Sequence, residues 1–322
     1  MEKILEMLSS GEAKTGEWMS AQLGMTRTAV WKKIEALRED GWDIRSMGKR
    51  GYVLEAGDRL DPVLWQGKLK TRRYGKAQVL FEETLESTNQ SVKKMALSGA
   101  EDGSLALCEQ QTAGKGRLGR TWVSEPGVGL WQSLLLRPGL PPDQAPALTF
   151  SAALAMARAL ENLGVDGVRI KWPNDLVRDG KKIAGILNEV SCDMDTMEYV
   201  VIGIGLNVRK GAVPPSLASS AGCLEDRGVP PLRRDILCGY LLEMEQQVSL
   251  LSRKGMGALM EMYREKSCTL GNPVRVVGTS FTFTGEALDM DPDGALLVKD
   301  ETGTVRRVLA GDVSVRGVMG YV

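Results

Sequence analysis

Apolar positions at the start of the chain fall into short helical stripes. Ile4, Leu5 and Leu8 share one face of a first helix, and residues 16–23, with Trp18 and Leu23 apolar, predict a second. Gly24 breaks that helix and Thr26 can cap a third. Val30, Trp31, Ile34 and Leu37 then recur at i, i+1, i+4 and i+7, so this set is expected to be buried, while Arg27, Thr28, Lys32, Lys33 and Arg38 mark the opposite face. Gly41 ends the helix. The run WDIRSMGKRGYVLE gives two short β-like segments about a basic tip, Gly48-Lys49-Arg50-Gly51. The polar stretch 56–63 holds glycine and proline and reads as a linker.

Beyond it the elements lengthen. Residues 146–163 predict an alanine-rich helix, and 167–172, 182–190 and 198–206 are Val- and Ile-rich runs that predict buried strands. Residues 232–266 predict one or two helices with Ile236, Leu237, Tyr240, Leu241 and Met244 on one face. From Gly271 onward only short strands are expected: around Val274 and Val276, Phe281–Leu288, Leu296–Val298, Val305–Leu309 and Val313–Val315. Asp293-Gly294 and Thr302-Gly303 suit tight turns between them. This tail predicts a small, partly closed β-barrel.

Charge and composition narrow the chemistry. Lys plus Arg is 41 and Asp plus Glu is 41, which excludes a general polyanion binder but leaves room for a local basic face. There is no histidine, so Ser-His-Asp and Cys-His catalysis, His-containing zinc sites and imidazole acid–base chemistry are excluded. The five cysteines are odd in number and form no C-x-x-C pair, as expected of reduced thiols in a cytoplasm. Glutamates interrupt the short apolar start, which therefore reads as an amphipathic helix and not a signal peptide. No apolar run approaches the roughly 18 residues of a membrane span. A cytoplasmic protein without membrane contact is expected.

Helix, tight turn, helix and basic hairpin is the order of a winged helix-turn-helix. Arg27, Thr28, Lys32 and Lys33 have the chemistry to reach base edges, and Lys49 and Arg50 to meet phosphates or the minor groove. Residues 27–50 hold seven basic and four acidic side chains, a modest excess, so useful affinity for DNA is expected to need two copies on the duplex.

Between 83 and 207 four segments carry polar chemistry. Glu86-Ser87-Thr88-Asn89-Gln90 supplies donors and acceptors for a neutral ligand, though a helix cap uses the same residues. The segment 109–122 contains Gln111 and Gly114-Lys115-Gly116-Arg117-Leu118-Gly119-Arg120, ending in Trp122: three glycines and three cations in a loop that can form an anion nest. It is neither a Walker A loop nor a usual Rossmann turn, because the lysine–serine ending is missing and cations stand between the glycines. Lys171-Trp172-Pro173-Asn174-Asp175-Leu176 ends a strand with a cation, an amide and a carboxylate. Lys182 stands before a buried strand, where it can project into a cavity floored by Gly185, Gly203 and Gly205. Cations, nest, amides and one carboxylate, without a hydrolase nucleophile, suit activation of a carboxylate by a nucleoside triphosphate. Mg²⁺ would bridge the phosphates, with Asp175 or an asparagine as support.

These segments, in this order and with Gly203-Ile204-Gly205-Leu206-Asn207, resemble the motifs of biotin–protein ligases. The leading winged helix and the β-rich tail extend the resemblance over essentially the whole chain, to the bifunctional ligase and biotin operon repressor. Lys115 departs from a frequent arginine and loses its bidentate fork; Leu118 likewise replaces a frequent arginine. The resemblance implies an α+β multidomain fold: a winged helix-turn-helix at 1–60, a central α/β domain on a mixed sheet at 61–268, and an SH3-like β-barrel at 269–322. It implies ATP and biotin as substrates with Mg²⁺, and transfer of the acyl group to a lysine of a biotin carboxyl carrier domain. It implies operator DNA as a partner and a homodimer when biotinyl-AMP is bound. Lys182 and Arg117 would be catalytic. Biotin would be held by Ser87, Thr88, Asn89, Gln111, Lys115, Gly116, Arg117, Lys182 and Gly185. The nucleotide would be held by Gly114, Arg120, Trp122, Lys171, Asn174, Asp175 and Asn207, and no protein metal site is implied. Two rival readings stand beside it: a metabolite-sensing transcription factor without catalysis, and a lipoate-type ligase.

Overall fold

Two threonines start the helices of the N-terminal unit. Thr15 and Thr26 sit in extended backbone, and their hydroxyls accept from Trp18 N at 3.1 Å and Ala29 N at 3.2 Å, satisfying N–H groups that a helix start leaves open. The computed structural model, which describes residues 2–55, 57–193, 196–278, 280–310 and 314–317, accordingly has α1 (Glu2–Leu8), α2 (Gly16–Leu23) and α3 (Arg27–Glu39). Ile4, Leu8, Met19, Val30, Ile34 and Leu37 form their shared core. Trp31 does not join it: it is 50% exposed, against the expectation from the apolar spacing. At about 100° of helix per residue, Val30, Ile34 and Leu37 fall within one arc. Trp31 lies outside that arc, beside Arg27.

Strands β1 (Ile44–Ser46) and β2 (Tyr52–Leu54) pair antiparallel around a 3₁₀ turn, Gly48–Arg50. Tyr52 also exchanges two 2.9 Å backbone hydrogen bonds with Lys14. At Gly51 φ is 98°, and a Cβ would stand 2.1 Å from the Lys14 carbonyl oxygen, so only glycine lets the wing close on that segment. The first compact unit runs through Leu69. Within the described part of the stretch read as a linker, 57–63, Leu60 is buried and Val63 packs against the helical core, and Leu64 and Trp65 just beyond it are buried as well.

The second unit runs from Lys70. Its sheet comprises β3 (Val79–Leu85), β4 (Leu105–Gln111), β5 (Gly129–Leu136), β6 (Arg169–Lys171), β7 (Asp175–Arg178), β8 (Lys181–Asp193) and β9 (Thr196–Asn207). Their order is β3-β4-β5-β9-β8-β7-β6, with β3 and β4 parallel and the other neighbours antiparallel, a mixed sheet. Helix α4 (Thr88–Leu97) lies on β4, β5 and β9 through Val92, Met95 and Ala96. Helix α5 (Ala145–Asn162) buries twelve of its eighteen residues, which its alanines permit, and α6 (Arg233–Lys254) approaches it where a Cβ on Gly239 would meet Ala159 at 3.3 Å. Gly255, at φ 72°, divides the second helical stretch into α6 and α7 (Met256–Lys266).

The tail forms β10 (Pro273–Val277), β11 (Thr282–Met290), β12 (Leu296–Asp300), β13 (Val305–Val308) and β14 (Ser314–Gly317). They make an antiparallel sheet in the order β13-β12-β11-β10-β14. Asp291 Oδ1 accepts from Asp293 N at 3.0 Å and Ala295 N at 2.9 Å in the first turn, and Asp300 Oδ1 from Thr302 N and Thr304 N, both at 3.0 Å, in the second. Val313, expected in the last strand, lies outside the described residues.

Candidate functional site

A cleft of about 820 Å³ opens over the centre of the mixed sheet. Its neutral end is a closed hydrogen-bond network. Ser87, Thr88 and Asn89 stand at the start of α4 and are buried. Thr88 donates to Gln111 Oε1 from its backbone N at 2.9 Å and from Oγ1 at 3.2 Å, and Gln111 Nε2 donates to Ser124 Oγ at 2.9 Å. Ser133 Oγ, from β5, lies 2.7 Å from Thr88 Oγ1 and 2.6 Å from Asn89 Oδ1. Asn89 Nδ2 donates to Glu189 at 2.7 Å, and Lys93 donates to the other oxygen of that carboxylate at 2.6 Å. Buried polar groups that fix one another this way present a set pattern of donors and acceptors.

The opposite end is charged. Lys182 Nζ sits 2.6 Å from Asp175 Oδ1 and 5.1 Å from the centre of the Trp122 ring. Lys171 is 5% exposed; burial lowers its ammonium to about 8, with Asp175 pulling it up and Lys182 pushing it further down. Asn174 bonds back to β8 through Nδ2 to Ile186 O at 2.8 Å, and its Oδ1 accepts from Arg117 at 2.9 Å. The other arm of Arg117 donates to Ala310 O, beyond β13. Ser314, Val315 and Arg316 of β14 complete this wall.

The glycine-basic loop is a narrow hairpin: Lys115 bridges to Thr121, and Gly116 N donates to Arg120 O at 2.7 Å. Leu118 takes a left-handed φ of 56° and Gly119 one of 71°. The glycines of the floor make room for side chains. A Cβ on Gly205 would lie 2.4 Å from Trp122 Nε1, one on Gly185 2.8 Å from the Trp122 ring, and one on Gly203 2.0 Å from Asn89 Oδ1.

Of the expected ligand residues, Ser87, Thr88, Asn89, Gln111, Lys115, Gly116, Arg117, Lys182 and Gly185 line the cleft together with Arg120, Trp122, Lys171, Asn174 and Asp175. Gly114 and Asn207 do not line it. Gly114 is packed under Trp122, whose backbone N–H donates to the Gly114 carbonyl at 2.9 Å, and buried Asn207 donates to Gly222 O at 3.1 Å. Sequence reasoning missed Ser133, Glu189 and Lys93. A lone hydroxyl in the apolar run of β5 was the one available signal for Ser133, because a buried polar side chain requires a partner. It also missed the buried pair Arg233–Glu109, at 2.7 Å, whose guanidinium also reaches Gly129 O at 3.0 Å and so ties β4 to β5 beside the cleft.

In the first unit, a groove of about 570 Å³ lies between α3 and the hairpin, lined by Arg27, Thr28, Trp31, Lys49, Thr15 and Tyr52 among others. Lys32 and Arg50 are exposed and Lys33 half-buried, and none of these three lines the groove.

Residues 1–53 match an HTH domain model, 81–207 the biotin/lipoate A/B protein ligase family and 269–316 the biotin protein ligase C terminal domain. The chain is 32% identical over 316 residues to the bifunctional ligase/repressor BirA of Bacillus subtilis (strain 168), covering 96% of this chain and 97% of that one. It is 29% identical to the BirA protein of Escherichia coli (strain K12), covering 98% and 96%. Among solved structures, the biotin protein ligase from Aquifex aeolicus in complex with biotin and ATP matches with a TM-score of 0.65 at 27% identity, covering 74% of this chain and 99% of that chain. No helix among the described residues is long and apolar enough to cross a membrane.

Proposed function

The chain belongs to the biotin protein ligase family in its bifunctional ligase/repressor form, and from that premise we propose that it converts biotin and ATP to biotinyl-5′-AMP and pyrophosphate, passes the biotinyl group to a carrier-domain lysine, and represses transcription as a DNA-bound dimer. One observation carries the ligase half: a single cleft joins a fixed neutral hydrogen-bonding end to a cationic end built from Lys171, Lys182 and Arg117. A volume of about 820 Å³ is of the size that takes a small ligand.

The cyclic urea of biotin seats among Thr88, Asn89 and Gln111, and its chain runs over Gly203 and Gly205 toward Lys182. The carboxylate oxygen attacks the α-phosphorus, the bond to the bridging oxygen breaks, and pyrophosphate leaves. Two anions must meet, and Lys182, Lys171 and Arg117 offset their repulsion in a partly dehydrated site. In the second step the carrier amine attacks the acyl carbon and AMP departs. Among the described residues that line the cleft, Asp175 is the one carboxylate, and no cluster of three or more metal-binding side chains occurs among the described residues. That donor set fits Mg²⁺ carried on phosphate oxygens, where it would neutralise phosphate charge.

The test is incubation with biotin, ATP and Mg²⁺, with and without a biotin carboxyl carrier domain, run beside lipoate. Biotinyl-AMP without carrier and a biotinylated carrier with it are expected. Lipoylation in place of biotinylation would favour the lipoate reading, and binding of biotin without adenylate formation would favour a non-catalytic sensor.

A further inference from the structure

The exposed indole of Trp31 is the largest apolar group on a face otherwise made of charged and polar side chains. It is 50% exposed, although it belongs to the apolar set of α3. At about 100° per residue it sits some 40° around the helix from Arg27, with Thr28 about 60° further on. It therefore stands between the two side chains that open α3, and all three line the groove toward the hairpin together with Lys49. The Thr26 cap fixes where the helix starts, and with it the direction of this trio. Glu35, one turn further along the same stripe, is engaged by Arg38 at 2.6 Å and is drawn aside. Trp18, the other exposed tryptophan of the unit, has the Lys14 ammonium 5.5 Å from its ring centre.

We propose that Trp31 reads the C5-methyl group of a pyrimidine, thymine in ordinary DNA, in the major groove of each operator half-site. The inference rests on the repressor reading above. Arg27 and Lys49 line this groove against one carboxylate, Glu17, and exposed Lys32 and Arg50 belong to the same helix and hairpin, a small positive excess whose sign suits a polyanion. An indole offers one N–H donor and no acceptor, so most of its contact is apolar. The apolar feature that base pairs display in the major groove is the thymine methyl. Arg27 and Thr28 supply polar contacts on either side, and Trp31 adds a recognition element that neither provides.

The experiment selects duplexes from a random library with the full chain in the presence of biotin and ATP, using wild type, Trp31→Ala and Trp31→Phe. Thermal melting establishes that each variant is folded. Wild type and Trp31→Phe should share a thymine at one position of each half-site that Trp31→Ala no longer requires, with the other positions unchanged. On the selected duplex, uracil in place of that thymine should weaken wild type about fourfold, the worth of one buried methyl, and leave Trp31→Ala unaffected. 5-Methylcytosine in place of cytosine at that position should tighten wild type alone. An identical selected sequence and identical uracil response for wild type and Trp31→Ala would overturn the proposal while leaving the repressor reading intact. A wild-type chain that selects no sequence would overturn both.

Discussion

A lysine held 2.6 Å from a carboxylate is a cation already in place before any phosphate arrives. Replacing Lys182 with alanine is expected to slow adenylate formation by on the order of 3 kcal/mol, roughly a hundredfold, in single-turnover assays. Because Asp175 would lose its partner, Lys182→Ala with Asp175→Asn is the companion variant; recovery of the rate there would assign the loss to the orphaned carboxylate. Lys171 carries a pH signature. Burial holds its ammonium at about 8, below the ordinary lysine value of 10.5. Between those values the unfolded chain binds more protons than the folded one, so the Lys171 contribution to stability rises as pH rises from about 8 to 10.5 and is flat below. A triphosphate bound beside it, as proposed, would favour the charged form. ATP binding at pH 8.5 should therefore take up a fraction of a proton, seen by calorimetry in buffers of different ionisation enthalpy, and Lys171→Gln should abolish that uptake.

At the scale of elements, the glycine-basic hairpin is tied at its tip through Arg117, to Asn174 between β6 and β7 and to Ala310 beyond β13. Arg117→Ala is expected to leave the fold intact and to increase release of biotinyl-AMP into solution severalfold; unchanged retention on a desalting column would count against it. The elements that were legible in the sequence are those with long periodic signals. The stripe of α6, the alanines of α5 and the Val/Ile runs of β8 and β9 mark themselves, as do the glycine-basic loop and the Lys171–Asp175 turn, where charged residues crowd beside tight turns. Trp31 was misplaced because residue class says that a side chain is apolar, not on which side of a stripe's edge it falls. Ser133, Glu189 and Arg233 were hidden for another reason. Each acts through a partner 44 to 124 residues away, and only the strand order β4-β5-β9-β8 with α6 packed over it makes those pairs neighbours.

For the whole molecule, zero net charge and a small local excess on the helix-turn-helix mean that one copy should hold DNA weakly. A second copy roughly doubles the phosphate contacts and steepens the salt dependence accordingly. If the adenylate promotes dimerisation, linkage requires operator DNA to tighten adenylate retention by the factor by which the adenylate tightens DNA binding. Sedimentation and DNA titration with and without biotin plus ATP measure both sides. A chain that dimerises with ligand yet gains nothing on DNA would remove the repressor role and leave the ligase.

The cationic wall of the cleft is closed by Ala310 and by β14, far along the chain from the Ser87–Asn89 cluster at its neutral end. During synthesis, the proposed seat for biotin can therefore form well before Ala310, the second of the two anchors of Arg117, has left the ribosome. A nascent chain halted near residue 268 would carry the neutral end of the cleft without its closing wall. It should bind biotin while failing to keep the reactive acyl-adenylate from water. On the proposed reading, the order of translation places the safeguard on the intermediate last, and retention of the acyl-adenylate should appear only in chains made through β14.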